Sequence, residues 1–154
     1  MTAATESSRI DRTIEIAAPP ERVWRALTTP ADMSAWFQVA IEGDFEVGRE
    51  VWMTSSHGEC TGQRFSVRIM EMTAPTRFVW EWCPGAVDPT VDYSKEPRTR
   101  VEFSLEPIKG GTRLSVSETG FDKVSLARRA KVFADNSQGW TEVIVWIKNY
   151  AEKA

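Results

Sequence analysis

The sequence predicts an α+β fold: a curved antiparallel β-sheet of six to seven strands wrapped around a long C-terminal α-helix, with two short helices after the first strand. Three observations predict it. Short segments of period-two hydrophobicity follow one another with turns between them and no helices, the pattern of an antiparallel meander. The last stretch of the chain carries apolar residues at helical spacing over several turns. Between the first strand-like segment and the meander, proline breaks the chain twice within "IAAPPERVWRALTTPADMSAWF", residues 16–37.

Each element has its own justification. "RTIEIA" (12–17) alternates, with Ile14 and Ile16 on one face, and reads as a strand. Pro19 and Pro20 end it and start a helix, since a proline in the first helical turn gives up no hydrogen bond. "PERVWRAL" then sets Val23, Trp24 and Leu27 on one helical stripe. Thr29 is a good N-cap, Pro30 fits the first helical position, and Asp32 completes a variant capping box for the second short helix. The period then changes to two. "EVWMTSSH" (50–57), "QRFSVRIMEM" (63–72), "RFVWEWC" (77–83), "RVEFSLE" (100–106) and "TRLSVSE" (112–118) read as strands, with "TAPT" and "KGG" as hairpin turns. One face gathers Phe65, Val67, Ile69, Phe78, Trp80, Trp82, Val101, Phe103, Leu105, Leu114 and Val116. The other carries Arg68, Glu81, Glu102 and Arg113, as a solvated face should. From about Asp122 the chain turns helical, with Asp122 or Asp135 as cap, and Trp140, Val143, Ile144, Ile147 and Ala151 form one stripe. That stripe needs the apolar sheet face, so Trp140 and Ile144 are expected against Phe103 and Trp80. Gly139 within it suggests a close backbone approach or a kink.

Composition sets the limits on function. The 154 residues suit one domain, here a flexible N-terminal tail (1–9) and a single domain (10–154). A net charge of -3 argues against nucleic acid as a partner, because phosphate binding needs a basic face. No apolar run reaches the roughly 20 residues of a membrane helix, so no membrane insertion is expected. "MTAATESSRIDR" lacks the apolar core of a signal peptide, which points to the cytoplasm. Cys60, Cys83 and the single His57 make too thin a set for zinc, and no metal or cofactor is expected. No catalytic pair is visible either.

Seven tryptophans point to a heavy aromatic core or to an aromatic-lined cavity. Trp24, on its helical stripe, reads as core; Trp36 suits either role. Glu118 is in phase with Leu114 and Val116, so its carboxylate should face the apolar side. There it could bind a polar ligand group or serve as a general base, unless it lies past the last ladder pair and faces water. Gln63, in phase with Phe65, is a weaker candidate of the same kind. Between Cys83 and Thr99 the loop "CPGAVDPTVDYSKEPRT" is long enough to act as a lid, a surface excursion, or a further short strand around Thr90 to Tyr93.

Four segments carry a family resemblance: "APPERVWRALTTPADMSAWF" (18–37), "FVWEW" (78–82), "GGTRLSVSETGF" (110–121) and "GWTEVIVWIKNYAE" (139–152). In this order they resemble the START-like (SRPBCC) superfamily, with its helix-grip or birch-pollen-allergen fold. Within it, the chain is similar to the family related to the C-terminal domain of the activator of the heat-shock-protein-90 ATPase. The resemblance implies a gap between sheet and long helix that commonly holds apolar small molecules. Trp36 and Phe37 would stand at its rim and Trp24 would pack underneath. Together with the aromatic face, it gives an expected ligand-binding cavity lined by Trp36, Phe37, Phe65, Val67, Phe78, Trp80, Trp82, Val101, Phe103, Glu118, Phe121, Trp140 and Ile144. The family's connection between Cys83 and Thr99 is often shorter than this one. Reversible binding of a small hydrophobic or amphipathic molecule is the expected function. The alternatives are a co-chaperone-type interaction stimulating a chaperone ATPase, and a cyclase- or hydrolase-type enzyme using the same cavity; the ligand, the oligomeric state (monomer or homodimer) and the pathway stay open.

Overall fold

A computed structural model describes residues 8–86, 88 and 90–153. Seven strands form one antiparallel sheet: β1 (Arg9–Ile16), β2 (Val39–Glu42), β3 (Glu50–Ser55), β4 (Arg64–Thr73), β5 (Arg77–Trp82), β6 (Thr99–Ile108) and β7 (Gly111–Thr119). Their spatial order is β1-β7-β6-β5-β4-β3-β2, so β1 and β2 are the edges. Helices α1 (Pro20–Thr28) and α2 (Pro30–Phe37) follow β1, and α3 (Leu126–Glu152) closes the chain. Strand β2 has only four residues and was not foreseen, because so short a segment shows no periodicity. Most of the expected N-terminal tail, residues 1–7, lies outside the described residues, and β1 already begins at Arg9.

The two apolar surfaces of different period meet as expected. Trp140, Val143, Ile144, Ile147 and Ala151 of α3 are buried, as are Val67, Ile69, Phe78, Trp80, Val101, Phe103, Leu114 and Val116 of the sheet. Trp140 packs edge-to-face on Phe103 with ring centroids 5.8 Å apart. On the outer face, opposite charges stand directly across the strands, an arrangement worth a few tenths of a kcal/mol per pair. Glu50 faces Arg68, and Arg113 lies between Glu15 and Glu106. Val79 also points outward yet is fully buried. It sits in register between Glu71 and Glu102, which Arg77 bridges at 3.0 and 2.9 Å. The long side chains of that network cover it, which alternation alone does not reveal.

Several local expectations are corrected. Thr29 is the N-cap of α2 but makes no side-chain cap bond. Asp32 instead accepts a hydrogen bond from the Tyr150 hydroxyl and so ties α2 to α3. Neither Asp122 nor Asp135 caps α3: its N-cap is Ser125, preceded by a 3-10 turn at Phe121–Lys123, and Asp135 pairs with Lys131 on the exposed side. A Cβ on Gly139 would meet nothing within 4 Å, so close approach does not explain that glycine. Gly111 is the opposite case, since a Cβ there would lie 1.9 Å from the Ile16 carbonyl oxygen, where β1 presses on the start of β7. Among the described residues no helix is long and apolar enough to cross a membrane.

Candidate functional site

Alternation along β7 places Glu118 on the inner face, and the carboxylate is fully buried. It is held by four neutral donors. Trp140 Nε1 donates to Oε1 at 2.8 Å, while Trp82 Nε1 and the Thr99 hydroxyl donate to Oε2 at 2.8 and 2.5 Å. Asn136 Nδ2 reaches both oxygens at 3.0 and 3.1 Å. These donors come from β5, β6 and α3, so one side chain of β7 fastens the helix to three adjacent strands. A carboxylate has about four lone-pair sites, and five contacts from the protein occupy them. Glu118 therefore stands where the sequence placed it, but as a saturated clamp with no acceptor capacity left over for a ligand.

The other expected cavity residues are brought together as packing. Trp80 touches Phe103 at 5.2 Å, Trp82 at 5.4 Å and Phe78 at 5.7 Å between ring centroids. Val67, Val101 and Phe121 are fully buried, and Ile144 nearly so. Trp36 is core and not rim: it is 3% exposed and its indole N–H donates to the Ala26 carbonyl at 2.7 Å, locking α2 onto α1. Phe37 beside it is half-buried and reaches Phe65 at 6.3 Å. Trp24 is half-buried against Phe78. Trp80 Nε1 is buried and has no hydrogen-bond partner among the described residues.

A concave site lies at the other side of the sheet. A groove of about 1010 Å³ runs between the outer face of β3–β4 and the loop of residues 83–98. Of the thirteen expected cavity residues, Phe65 lines it; Gln63 and Cys83 stand at the same end. Its floor is Glu50, Trp52, Arg64, Ser66 and Arg68, the outward positions of two adjacent strands, with Arg98 beside them. Glu50 is the centre of the floor's charge network: Arg98 Nη2 donates to it at 2.9 Å, Arg68 Nε at 3.2 Å and the Ser66 hydroxyl at 2.5 Å. Partial burial pushes the Glu50 carboxyl up, but the hydrogen bonds from Arg98 and Ser66 and the charges of Arg98 and Arg68 outweigh it and hold it below the usual range. Trp52 is 39% exposed, and the Arg64 guanidinium lies 4.1 Å from its ring centroid, a cation–π stack.

The facing loop is built from turns, with no strand around 90–93 among the described residues. Asp88 Oδ1 accepts from the Thr90 amide and hydroxyl at 2.9 and 2.7 Å, and Asp92 Oδ1 from the Ser94 amide at 2.9 Å. These bonds lower both carboxyls. Arg128 of α3 anchors the loop through Glu96 at 3.1 Å, the Pro84 carbonyl and the Tyr93 ring. The described residues of the loop thus form a wall of the groove tied to α3. Two sequence signals bear on this site: the length of the Cys83–Thr99 loop, and Trp52, a large aromatic on the polar phase of its strand, between the buried Val51 and Met53.

His57 follows β3, with Nδ1 3.1 Å from Gln38 Oε1 and its ring against Trp146. Burial pushes the half-buried Cys83 thiol up, against the opposing charge of Arg128, which keeps it from being a ready nucleophile at neutral pH. Among the described residues no group of three or more His, Cys, Asp or Glu side chains is arranged to hold a metal ion.

Comparison with known proteins decides the family. The model of the Activator of Hsp90 ATPase homolog 1-like proteins matches residues 17–152. The chain belongs to that family. Solved structures share the family member's fold. A protein of Mesorhizobium loti matches with a TM-score of 0.73 at 23% identity, over 95% of this chain and 98% of that one. A protein of Nitrosomonas europaea matches with a TM-score of 0.72 at 21% identity, over 96% of both chains. The Aha1 dimer of Colwellia psychrerythraea gives 0.72 at 19% identity, over 94% of this chain and 96% of that one. No curated protein matches the sequence.

Proposed function

We propose that this family member is a binding module for a small amphipathic molecule, seated in the groove between β3–β4 and the 83–98 loop. The reading keeps the function that the sequence suggested and moves its seat. One observation carries it: Trp52 is presented, outward and stacked with Arg64, on the floor of a concave site of about 1010 Å³. Ligand sites are typically clefts of ~300–1,000 Å³ with apolar walls and a few placed polar groups. The inward-facing aromatic residues, by contrast, contact one another, and Glu118 is bonded to Trp140. The groove's charged groups pair with one another, an arrangement suited to orienting a bound molecule.

The test is a fluorescence titration with the neutral apolar probe N-phenyl-1-naphthylamine. Wild-type protein should bind it saturably, and Trp52→Ser should weaken binding by about tenfold, equivalent to 1.4 kcal/mol, with an unchanged melting temperature. Absence of saturable binding to wild type overturns the reading.

A protein-interaction role is the second reading, favoured by Val47, Met70 and Trp52, large apolar side chains exposed on and beside β3–β4. The family's description suggests a chaperone ATPase as partner, and the Colwellia psychrerythraea protein is described as a dimer. Stimulation of a purified Hsp90-type ATPase that is lost on Trp52→Ser, or self-association by sedimentation, would favour it.

A further inference from the structure

We infer that the groove selects a planar aromatic molecule carrying a single negative charge, an aromatic carboxylate or sulfonate, over neutral and multiply charged ligands. The inference rests on the groove being the binding seat and assigns its ligand class. The argument begins with unused hydrogen-bonding capacity. Arg68 donates to Glu50 through Nε only, its side chain is half exposed, and neither Nη group has a partner among the described residues. A guanidinium fork with two free nitrogens matches a carboxylate or sulfonate edge. Arg98, in contrast, spends both Nη groups on Glu50 and on the Glu81 carbonyl. Arg68 is therefore the floor's open anion donor.

Next to it, Trp52 stands across the strand pair from Ser66, one outward position along from Arg68. The Arg64 guanidinium stacked on Trp52 forms a flat cationic platform, tethered by Glu42 at 3.2 Å. Flat cationic and aromatic surfaces favour a flat π-system. Val91, 48% exposed, and Tyr93 supply apolar surface on the opposite wall.

Charge on that wall limits the ligand. The floor's three arginines are offset by Glu50 and Glu42, which leaves one net positive charge. Asp88 and Asp92 line the groove from the loop and are bonded in their turns by neutral donors, so both stay uncompensated and bring the count from one net positive to one net negative charge; an anion is favoured only locally, at Arg68. A polyanion would meet them at close range. A single anionic group held at Arg68, with its ring toward the loop, would not.

Two probes that differ only by a sulfonate test this: 8-anilino-1-naphthalenesulfonate and N-phenyl-1-naphthylamine. Wild-type protein should bind the sulfonate at least tenfold more tightly, and inorganic phosphate at tenfold excess should not displace it. Arg68→Gln should remove most of that preference, read as the ratio of the two probes' affinities; Arg68→Lys, with the charge but not the fork, should lie between. Equal affinity of wild type for the two probes, an Arg68→Gln variant that keeps the preference, or displacement by phosphate overturns the ligand class while leaving the groove as a seat. If wild type does not bind the neutral probe saturably, the groove reading fails, and the ligand class with it.

Discussion

At the scale of single residues, Glu118 shows how far alternation can be read and where it stops. Its phase with Leu114 and Val116 predicts an inward carboxylate, and the structure puts it there. Its partners were not legible. Trp82, Thr99, Asn136 and Trp140 lie 18 to 36 positions away in the chain, and only the tertiary fold brings them to two oxygens. The consequence is a stability role. Glu118→Gln replaces one acceptor oxygen by a donor that faces other donors, and it removes the charge that strengthens the remaining bonds. A loss of about 2–4 kcal/mol is expected, from the worth of charge-assisted bonds plus an unsatisfied donor, measured by guanidinium unfolding. A loss below about 1 kcal/mol would mean that the network is not the clamp described. The two cysteines should also differ: Cys60 is exposed, whereas Cys83 is half-buried with its thiol pushed up by burial. A thiol reagent at neutral pH should label Cys60 well before Cys83.

At the scale of elements, two glycines predict opposite outcomes. Gly139 lies inside α3 with open space at its Cβ position, so Gly139→Ala should stabilise the protein by about 0.5–1 kcal/mol through helix propensity. Gly111→Ala should be strongly destabilising, because the new methyl would collide with the backbone at Ile16. In the sequence Gly111 belongs to a hairpin turn and Gly139 interrupts a helical stripe; only the distance to neighbouring atoms shows which of them a methyl cannot replace. The elements themselves are largely legible, because six of the seven strands and the α3 stripe each repeat their period enough times to stand out. Segment β2 and the start of α3 are not, the first for its length and the second because Asp122 and Asp135 compete with Ser125 as cap residues of the same type. On the outer face of β3–β4, Glu50 titrates below the ordinary carboxylate range in the folded protein. The Arg98–Glu50–Arg68 ladder should therefore contribute stability that is present above about pH 4–5, the unfolded range, and lost as the pH falls through the depressed folded value. Glu50→Gln should flatten that acid limb in melting curves taken from pH 6 to 3.

At the scale of the whole molecule, the sheet separates two kinds of chemistry. Its inner face and α3 form a dense aromatic core fastened by one buried carboxylate. Its outer face near the 83–98 loop presents a concave site with an arginine–tryptophan platform. The sequence makes the aromatic excess visible and suggests the inner face as the seat, whereas the proposed seat lies on the outer face; large aromatics in phase announce burial and do not distinguish a wall from a filling. The loop stands out by length, yet its position depends on Arg128 of α3 reaching Glu96 and the Pro84 carbonyl, a contact no local pattern reveals. The most direct test of the groove as the binding seat is an amide and indole chemical-shift map of the labelled protein titrated with 8-anilino-1-naphthalenesulfonate. The groove account predicts shifts at the Trp52 indole and at Ser66, Arg68 and Tyr93, with the Trp82 and Trp140 indoles bonded to Glu118 left in place. Shifts centred on those two indoles and on Phe103, with Trp52 unmoved, would contradict it and return the site to the space between sheet and helix.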